Sequence, residues 1–303
     1  YKRQNGSWVR CSPVYADGTL YVGGIRDVLV ALDAATGEVR WRVDFVESEG
    51  SPVPGFGFVS SPLVDGEFLY VQAGSQVAKL KCSDGSKVWG QMKDDRAMYG
   101  SAFSSPTIAT VAGKRQLLTQ TREELAGIDL DSGDVLWRYK VKAFRGMNIL
   151  TPTVLGDTIF TSTYGGGSFL FTVSTDGSAF DASKTWTEKT EGYMSSPVEH
   201  DGYIYMLGRD KRFHCFAGAE GELKWSSAEK FGEYASLVAQ GNRALALTDG
   251  GELLLLELTP EEFKLVDRKK LSDAPTWAHL AVCGEELFVR ELKAISKWHW
   301  PAD

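Results

Sequence analysis

Four histidines, four cysteines and a run of three glycines carry the most reactive side chains and the most permissive backbone of this chain, and their spacing limits what they can do. His200, His214, His279 and His299 show neither His-x-x-x-His nor Glu-x-x-His spacing, so no single element presents a zinc pair. Cys11, Cys82, Cys215 and Cys283 are scattered without a Cys-x-x-Cys or Cys-Cys pair, which reads as buried or incidental thiols. Serines are abundant, yet the Gly-x-Ser-x-Gly elbow of a hydrolase nucleophile is absent. Gly165-Gly166-Gly167 follows Tyr164 but leads into a strand, so it lacks the helix N-terminus that a phosphate cradle uses and reads as a turn. Aspartates are plentiful, but most stand in turns, where the carboxylate bonds its own backbone and not a metal.

What positions these residues is a repeat. Ala31 to Trp41 reads as strand, tight turn, strand, with Asp33 and Thr36-Gly37 supplying the turn and Trp41 four residues past the glycine. The frame returns with Gly85 before Trp89 and with Asp129 and Gly133 before Trp137, the glycines being 48 residues apart in both steps. Each repeat opens on a small-residue and proline step: Cys11-Ser12-Pro13, Ser60-Ser61-Pro62, Ser104-Ser105-Pro106, Leu150-Thr151-Pro152, Ser195-Ser196-Pro197. Asp-Gly and Gly-Asp turns then separate two short apolar runs, a hairpin signal. The fourth strand carries Trp41, Trp89, Trp137, Trp186 and Trp225 in five successive repeats. A sixth repeat opens at Ser236 with Leu265 in the tryptophan position, and a seventh opens near His279 and stops after three strands.

The seven openings lie about 44 residues apart on average, the period of four-stranded propeller blades. A helical array would show an apolar stripe of period 3.6 and few Asp-Gly turns; this chain shows alternation, with turns every eight to twelve residues or so. The expectation is an all-β, seven-bladed β-propeller of four-stranded antiparallel blades, with 1-303 as a single domain despite its length. Residues Tyr1 to Asn5 are the candidates to supply the seventh blade's missing strand, because an open edge invites aggregation; an eight-bladed parent truncated upstream is the alternative.

A formal net charge of −7 argues against a general nucleic-acid or anionic-membrane binder, since either gains from a basic face. No apolar run approaches the eighteen or so residues of a membrane span. The chain starts at Tyr1 without methionine, so a signal sequence or lipid anchor upstream is out of sight.

The frame at Ala31, Asp33, Thr36, Gly37 and Trp41 resembles the tryptophan-docking repeat of the pyrroloquinoline quinone (PQQ) like propellers. That family includes quinoprotein alcohol dehydrogenases and the propeller lipoprotein of the bacterial outer-membrane β-barrel assembly machinery. The resemblance is strong in blades one and three, fair in two and five, and poor in four, six and seven. Blade four sets Asp176-Gly177 nine residues ahead of Trp186, which implies an insertion. The resemblance implies tryptophans packed between neighbouring blades, a bacterial periplasmic or exported location and, in the dehydrogenases, PQQ, a calcium ion, a catalytic aspartate and an adjacent cysteine pair. No Cys-Cys occurs here and no residue set is assigned to quinone or calcium, so no cofactor is committed.

The binding expectation comes from an asymmetry between turns. First-to-second and third-to-fourth connections of a blade share one face and are plain Asp-Gly, Thr-Gly and Ser-Gly turns. Second-to-third and blade-to-blade connections share the other and carry Arg26, Phe58, Tyr99, Arg122, Arg145, Tyr164, Tyr193, Arg209 and Arg290. Aromatic and arginine side chains on long loops suit recognition of a protein, a peptide or a small anionic ligand. The competing reading is that each arginine pairs with an adjacent acid, as in Arg26-Asp27, Arg122-Glu123 and Arg209-Asp210. The expected function is a non-enzymatic binding scaffold using the loop-rich face and channel mouth. The alternatives are a quinone-dependent dehydrogenase and a sensor module of a larger signalling protein.

Overall fold

Every Asp-Gly or Thr-Gly signal of the first repeat closes a hairpin, and the hairpins join edge to edge. Val14–Ala16, Thr19–Gly24, Val28–Asp33 and Val39–Asp44 form one antiparallel sheet in chain order. The computed structural model describes residues 9–96, 100 and 102–300. In it seven such sheets follow one another, opening at Val14–Ala16, Leu63–Asp65, Thr107–Val111, Thr153–Leu155, Val198–His200, Ala235–Gln240 and Ala281–Cys283. Six have four strands; the seventh has three among the described residues, ending at Ile295–His299. The chain is thus a seven-bladed, all-β propeller. The strand expected of Tyr1 to Asn5 lies outside the described residues.

The chain falls into two compact units, one taking blades one to three and part of blade four, the other the rest of blade four and blades five to seven. In each unit the core lies between successive blades. In the first, Leu29 and Ala31 of blade one pack on Leu69, Val71 and Leu80 of blade two, and Tyr70 and Val77 pack on Leu117 and Ile128 of blade three. In the second, Phe160 and Leu170 meet Ile204 and Phe216, and Phe213 meets Ala244 and Leu254. The second and third strands of blade two are therefore buried on both faces, while the fourth strand of blade three alternates with solvent.

The repeated tryptophan joins one blade to the next. The Trp41 indole N–H donates to the Cys82 carbonyl at 2.8 Å, Trp186 to Gly218 at 2.9 Å and Trp225 to Thr259 at 2.9 Å. The turn glycine of the following blade lies flat on the ring. A Cβ on Gly85 would stand 2.7 Å from Trp41, and one on Gly221 2.4 Å from Trp186. The turn itself is set by aspartate: the Asp33 carboxylate accepts from the Ala35 and Thr36 N–H groups, and Asp129 does the same for Asp131 and Ser132. With Lys114 beside it, the Asp129 carboxyl is held down at about 2.

Blade four changes this joint. Its extra residues lengthen the hairpin into two nine-residue strands, Gly167–Thr175 and Phe180–Glu188. Its turn glycine, Gly177, has nothing within 4 Å of a Cβ, so it covers no ring. Trp137 instead donates to the Gln116 side-chain oxygen of its own blade at 2.7 Å. Gly127 makes room for this, since a Cβ there would be 2.0 Å from that oxygen.

The Ser-Ser-Pro openings are a second seam. Ser12 N–H donates to Ser61 Oγ and Ser61 N–H to Ser105 Oγ, both at 2.9 Å. In the second unit the direction reverses, Ala235 and Leu280 donating to Ser195 and Ser236.

Candidate functional site

Three of the expected site residues meet in the second unit. The connection into blade five runs beside that blade's second-to-third turn, where Gly192 bridges Gly208 and the Arg209 N–H donates to the Glu191 carbonyl at 2.7 Å. The Arg209 side chain then folds back. Its Nη1 donates to Glu191 Oε2 at 2.7 Å, its Nη2 donates to Tyr164 Oη at 3.1 Å, and its guanidinium carbon lies 4.0 Å from the Tyr164 ring centre. The Tyr164 and Tyr193 ring centres are 5.1 Å apart. Glu191 raises the arginine pKa further, so the charge is fixed at any working pH. The arginine side chain is 46% exposed and its partner Glu191 25%, so the stack is braced from below and open above.

A buried histidine holds the turn that presents Arg209. His214 Nε2 pairs with Asp210 Oδ1 and its Nδ1 with Ser226 Oγ, both at 2.8 Å. The residue types are those of a hydrolase triad, but the serine sits on Nδ1 and the acid on Nε2. The adjacent Ser227 N–H is committed to the Phe213 carbonyl at 2.8 Å. The line orients the turn. Gly208 lets it close, because a Cβ there would be 2.6 Å from His214 Nε2.

A second aromatic pair lies on the next connections of the same unit. Trp277, 45% exposed, stacks on buried Tyr234 with ring centres 5.7 Å apart and planes 16° from parallel. Lys211, on the second-to-third turn of blade five, forms an ion pair at 3.2 Å with Glu233, which adjoins Tyr234. Trp277 went unassigned in the sequence because it lies outside the repeat frame. That position outside the frame was the available signal.

Two of the expected site residues, Arg122 and Phe58 of the first unit, are buried and do not line an open face. Arg122 is 2% exposed; its guanidinium donates to the Gly146 and Arg145 carbonyls at 2.5 Å and lies 4.2 Å from the Phe103 ring centre, so it fastens a loop from within. Phe58 is buried in the core where Gly23 leaves space, a Cβ there being 2.5 Å from its ring. Arg145 is exposed over Phe144 and Arg26 is exposed; in the second unit, exposed Arg290 reaches the Ala294 carbonyl at 3.5 Å. Tyr99 lies outside the described residues. The adjacent acids have other partners: Glu123 binds Arg96 at 2.8 Å, Asp210 binds His214, and the buried Asp27 accepts the Gly74 N–H of the next blade at 2.6 Å. Burial pushes the Asp27 carboxyl up to about 6.

Among the described residues no three His, Cys, Asp or Glu side chains gather in a metal-holding group. The cysteines are separate free thiols, Cys11 and Cys215 buried and Cys283 exposed, and burial pushes the Cys215 thiol up to about 12. Among the described residues no helix is long and apolar enough to cross a membrane.

Known proteins share this architecture. A BamB protein of Yersinia pestis, described as outer membrane protein assembly factor BamB, is 22% identical over 235 residues, covering 74% of this chain and 55% of its own length. The chain thus spans about half of that curated relative. The crystal structure of BamB from Moraxella catarrhalis superposes with a TM-score of 0.70 at 17% identity, covering 97% of this chain and 83% of that one. The computationally designed Ika8 protein superposes with a TM-score of 0.59 at 8% identity over 95% of both chains. These two likenesses carry the fold alone. The family model described as outer membrane protein assembly factor BamB matches residues 3–227, and the chain belongs to that family of PQQ-like repeat propellers.

Proposed function

We propose that this chain is a non-enzymatic, protein-binding scaffold: a single propeller domain, exported and working at the periplasmic side of a bacterial outer membrane. The observation that carries this reading is the Arg209, Tyr164, Tyr193 and Glu191 stack. A rigid, half-exposed arginine and tyrosine cluster on long connections is what interface anchors are made of, because little entropy is lost when a partner covers it. The relatives named as assembly factors support the location and the class of partner. Exposed Arg26, Arg145 and Arg290 extend the same reading to other connections, and a peptide or a small anionic ligand is the alternative occupant of the Arg209 stack.

The test is in-cell crosslinking of wild type against Tyr193→Ala and Arg209→Glu, with Lys224→Glu on a fourth strand as control. Partners captured by wild type and control should fall at least about 10-fold in both site variants, the effect of losing about 1.4 kcal/mol of interface. An unchanged partner set with an intact fold rejects the reading. So does dye-linked alcohol oxidation appearing when purified protein is incubated with quinone and calcium.

A further inference from the structure

The second aromatic pair of the second unit is held as firmly as the Arg209 stack. Trp277 lies in the connection that leads from the Lys264–Lys270 strand into blade seven, and that connection is pinned along its length. The Leu271 and Ser272 N–H groups donate to the Gly251 carbonyl at 2.8 and 3.2 Å. The Thr276 N–H donates to the Asp249 carbonyl at 3.1 Å and its hydroxyl to the Thr248 carbonyl at 2.6 Å. The Leu280 N–H closes the far end on Ser236 Oγ at 2.9 Å. Thr276 is fully buried, so Trp277 stands out from a fixed backbone with one ring face against Tyr234. The Tyr234 ring also meets His279, with centres 6.2 Å apart and planes 82° from parallel. A partner that covers this indole orders very little in doing so.

A carboxylate adjoins the pair. Asp249 donates its N–H to the Tyr234 carbonyl at 2.9 Å and accepts the Thr276 N–H, so one residue joins the two connections that carry the rings. Its side chain rests on Gly232, where a Cβ would be 2.0 Å from Oδ1. Other charges on these connections are used within the chain. Glu233 pairs with Lys211 at 3.2 Å, while Lys270 donates to the Gly250 carbonyl at 2.8 Å and lies 3.9 Å from Asp273. Among the described residues Asp249 has no ion-pair partner.

Twice in the same unit a ring beside a carboxylate carries a guanidinium. Arg209 lies over Tyr164 and pairs with Glu191; Arg268 lies 5.9 Å from the Phe231 ring centre and pairs with Glu229 at 2.6 Å. Trp277 and Asp249 repeat the ring and the acid, and among the described residues no cation of the chain lies over the indole. Indole is the best aromatic face for a cation, and a planar, weakly hydrated guanidinium stacks on it while donating to a carboxylate. An acidic group would be repelled by Asp249. A neutral ring or sugar face would cover the indole and leave the carboxylate uncompensated.

We infer that Trp277 and Asp249 form a docking point for an arginine side chain of a bound protein. The inference rests on the protein-binding reading above and adds a second anchor of opposite sense: here the partner supplies the guanidinium, whereas the Arg209 stack supplies its own.

The test follows the ¹⁹F signals of protein labelled with 5-fluorotryptophan, the Trp277 signal being the one lost in Trp277→Phe. A capped Gly-Arg-Gly peptide is titrated at constant ionic strength beside its citrulline and glutamate counterparts. A saturable shift of the Trp277 signal with the arginine peptide is expected, with the Trp41 and Trp225 signals unmoved, the citrulline peptide binding about 5-fold more weakly and the glutamate peptide giving no shift. Asp249→Asn should weaken binding of the arginine peptide about 2–5-fold and leave that of the citrulline peptide unchanged. No saturable shift, equal binding of arginine and citrulline, or an unchanged affinity in Asp249→Asn overturns the inference. In the crosslinking assay Trp277→Ala should lower partner capture about 5-fold. Full capture by Trp277→Ala while Arg209→Glu loses partners overturns this inference alone; full capture by every variant overturns the protein-binding reading with it.

Discussion

The joint between blades can be weighed by adding one carbon to its glycine. Gly37 and Gly85 hold the same place in the same turn, with φ of 76° and 74°. A Cβ on Gly37 meets nothing within 4 Å, whereas on Gly85 it stands 2.7 Å from Trp41 Cε3 and 2.9 Å from Val43 Cγ2. Gly37→Ala therefore reports the left-handed backbone alone, about 1–2 kcal/mol. Gly85→Ala adds the displacement of an indole whose N–H is bonded at 2.8 Å to the Cys82 carbonyl. Overpacking of this kind costs about 1–3 kcal/mol more. The loss of unfolded-chain entropy is the same in both variants and cancels. Urea titration followed by circular dichroism and indole emission should place the Gly85→Ala midpoint about 0.3–1 M below that of Gly37→Ala, taking a slope near 3 kcal/mol/M. Gly133→Ala, with its Cβ 2.7 Å from Trp89, should repeat the result. Equal midpoints for the Gly37 and Gly85 variants would refute the docking account.

Two further outcomes are expected. Asp27 has its carboxyl raised from 3.8 to about 6, so folding favours the protonated acid. That contribution is complete below about pH 4 and is lost as pH rises through about 6, at most about 3 kcal/mol. Asp27→Asn keeps an oxygen for the Gly74 N–H and removes the titration, so its urea midpoint should gain on wild type between pH 4.5 and 7.5; a constant gap is the contrary result. Gln116→Leu strips the Trp137 N–H of its acceptor at a fully buried position and should cost about 1–3 kcal/mol. The Trp137 indole proton should exchange faster while that of Trp186, bonded to backbone, stays slow; unchanged exchange at Trp137 counts against the assignment.

The blades were legible in the sequence because their signals are local and periodic. Asp33, Gly37 and Trp41 lie within one hairpin, and repetition separates them from chance. The insertion in blade four was legible as a spacing, but its form was not: the extra residues extend two strands, which depends on pairing across the hairpin. Site residues divided along the same line. Tyr164, Tyr193 and Arg209, singled out by residue type and connection length, lie together in one stack. Arg122 and Phe58 share those types but are buried, because burial is decided by a loop that folds back from residues 144–146 in one case and by Gly23 in the other. Glu191, His214 and Trp277 owe their roles to partners from 4 to 43 residues away, on neighbouring strands and connections that spacing alone does not bring together.

A blade that offers a tryptophan forward and a glycine turn backward is a connector with two matching ends. A gene segment encoding one such blade, duplicated in frame, yields a copy that already fits both its neighbours, so the chain can lengthen without evolving a new interface. Blade four, whose Gly177 covers no ring, lacks this receiving end. A copy of it would not seat on its predecessor by this joint, and Trp137 is held instead by Gln116 of its own blade.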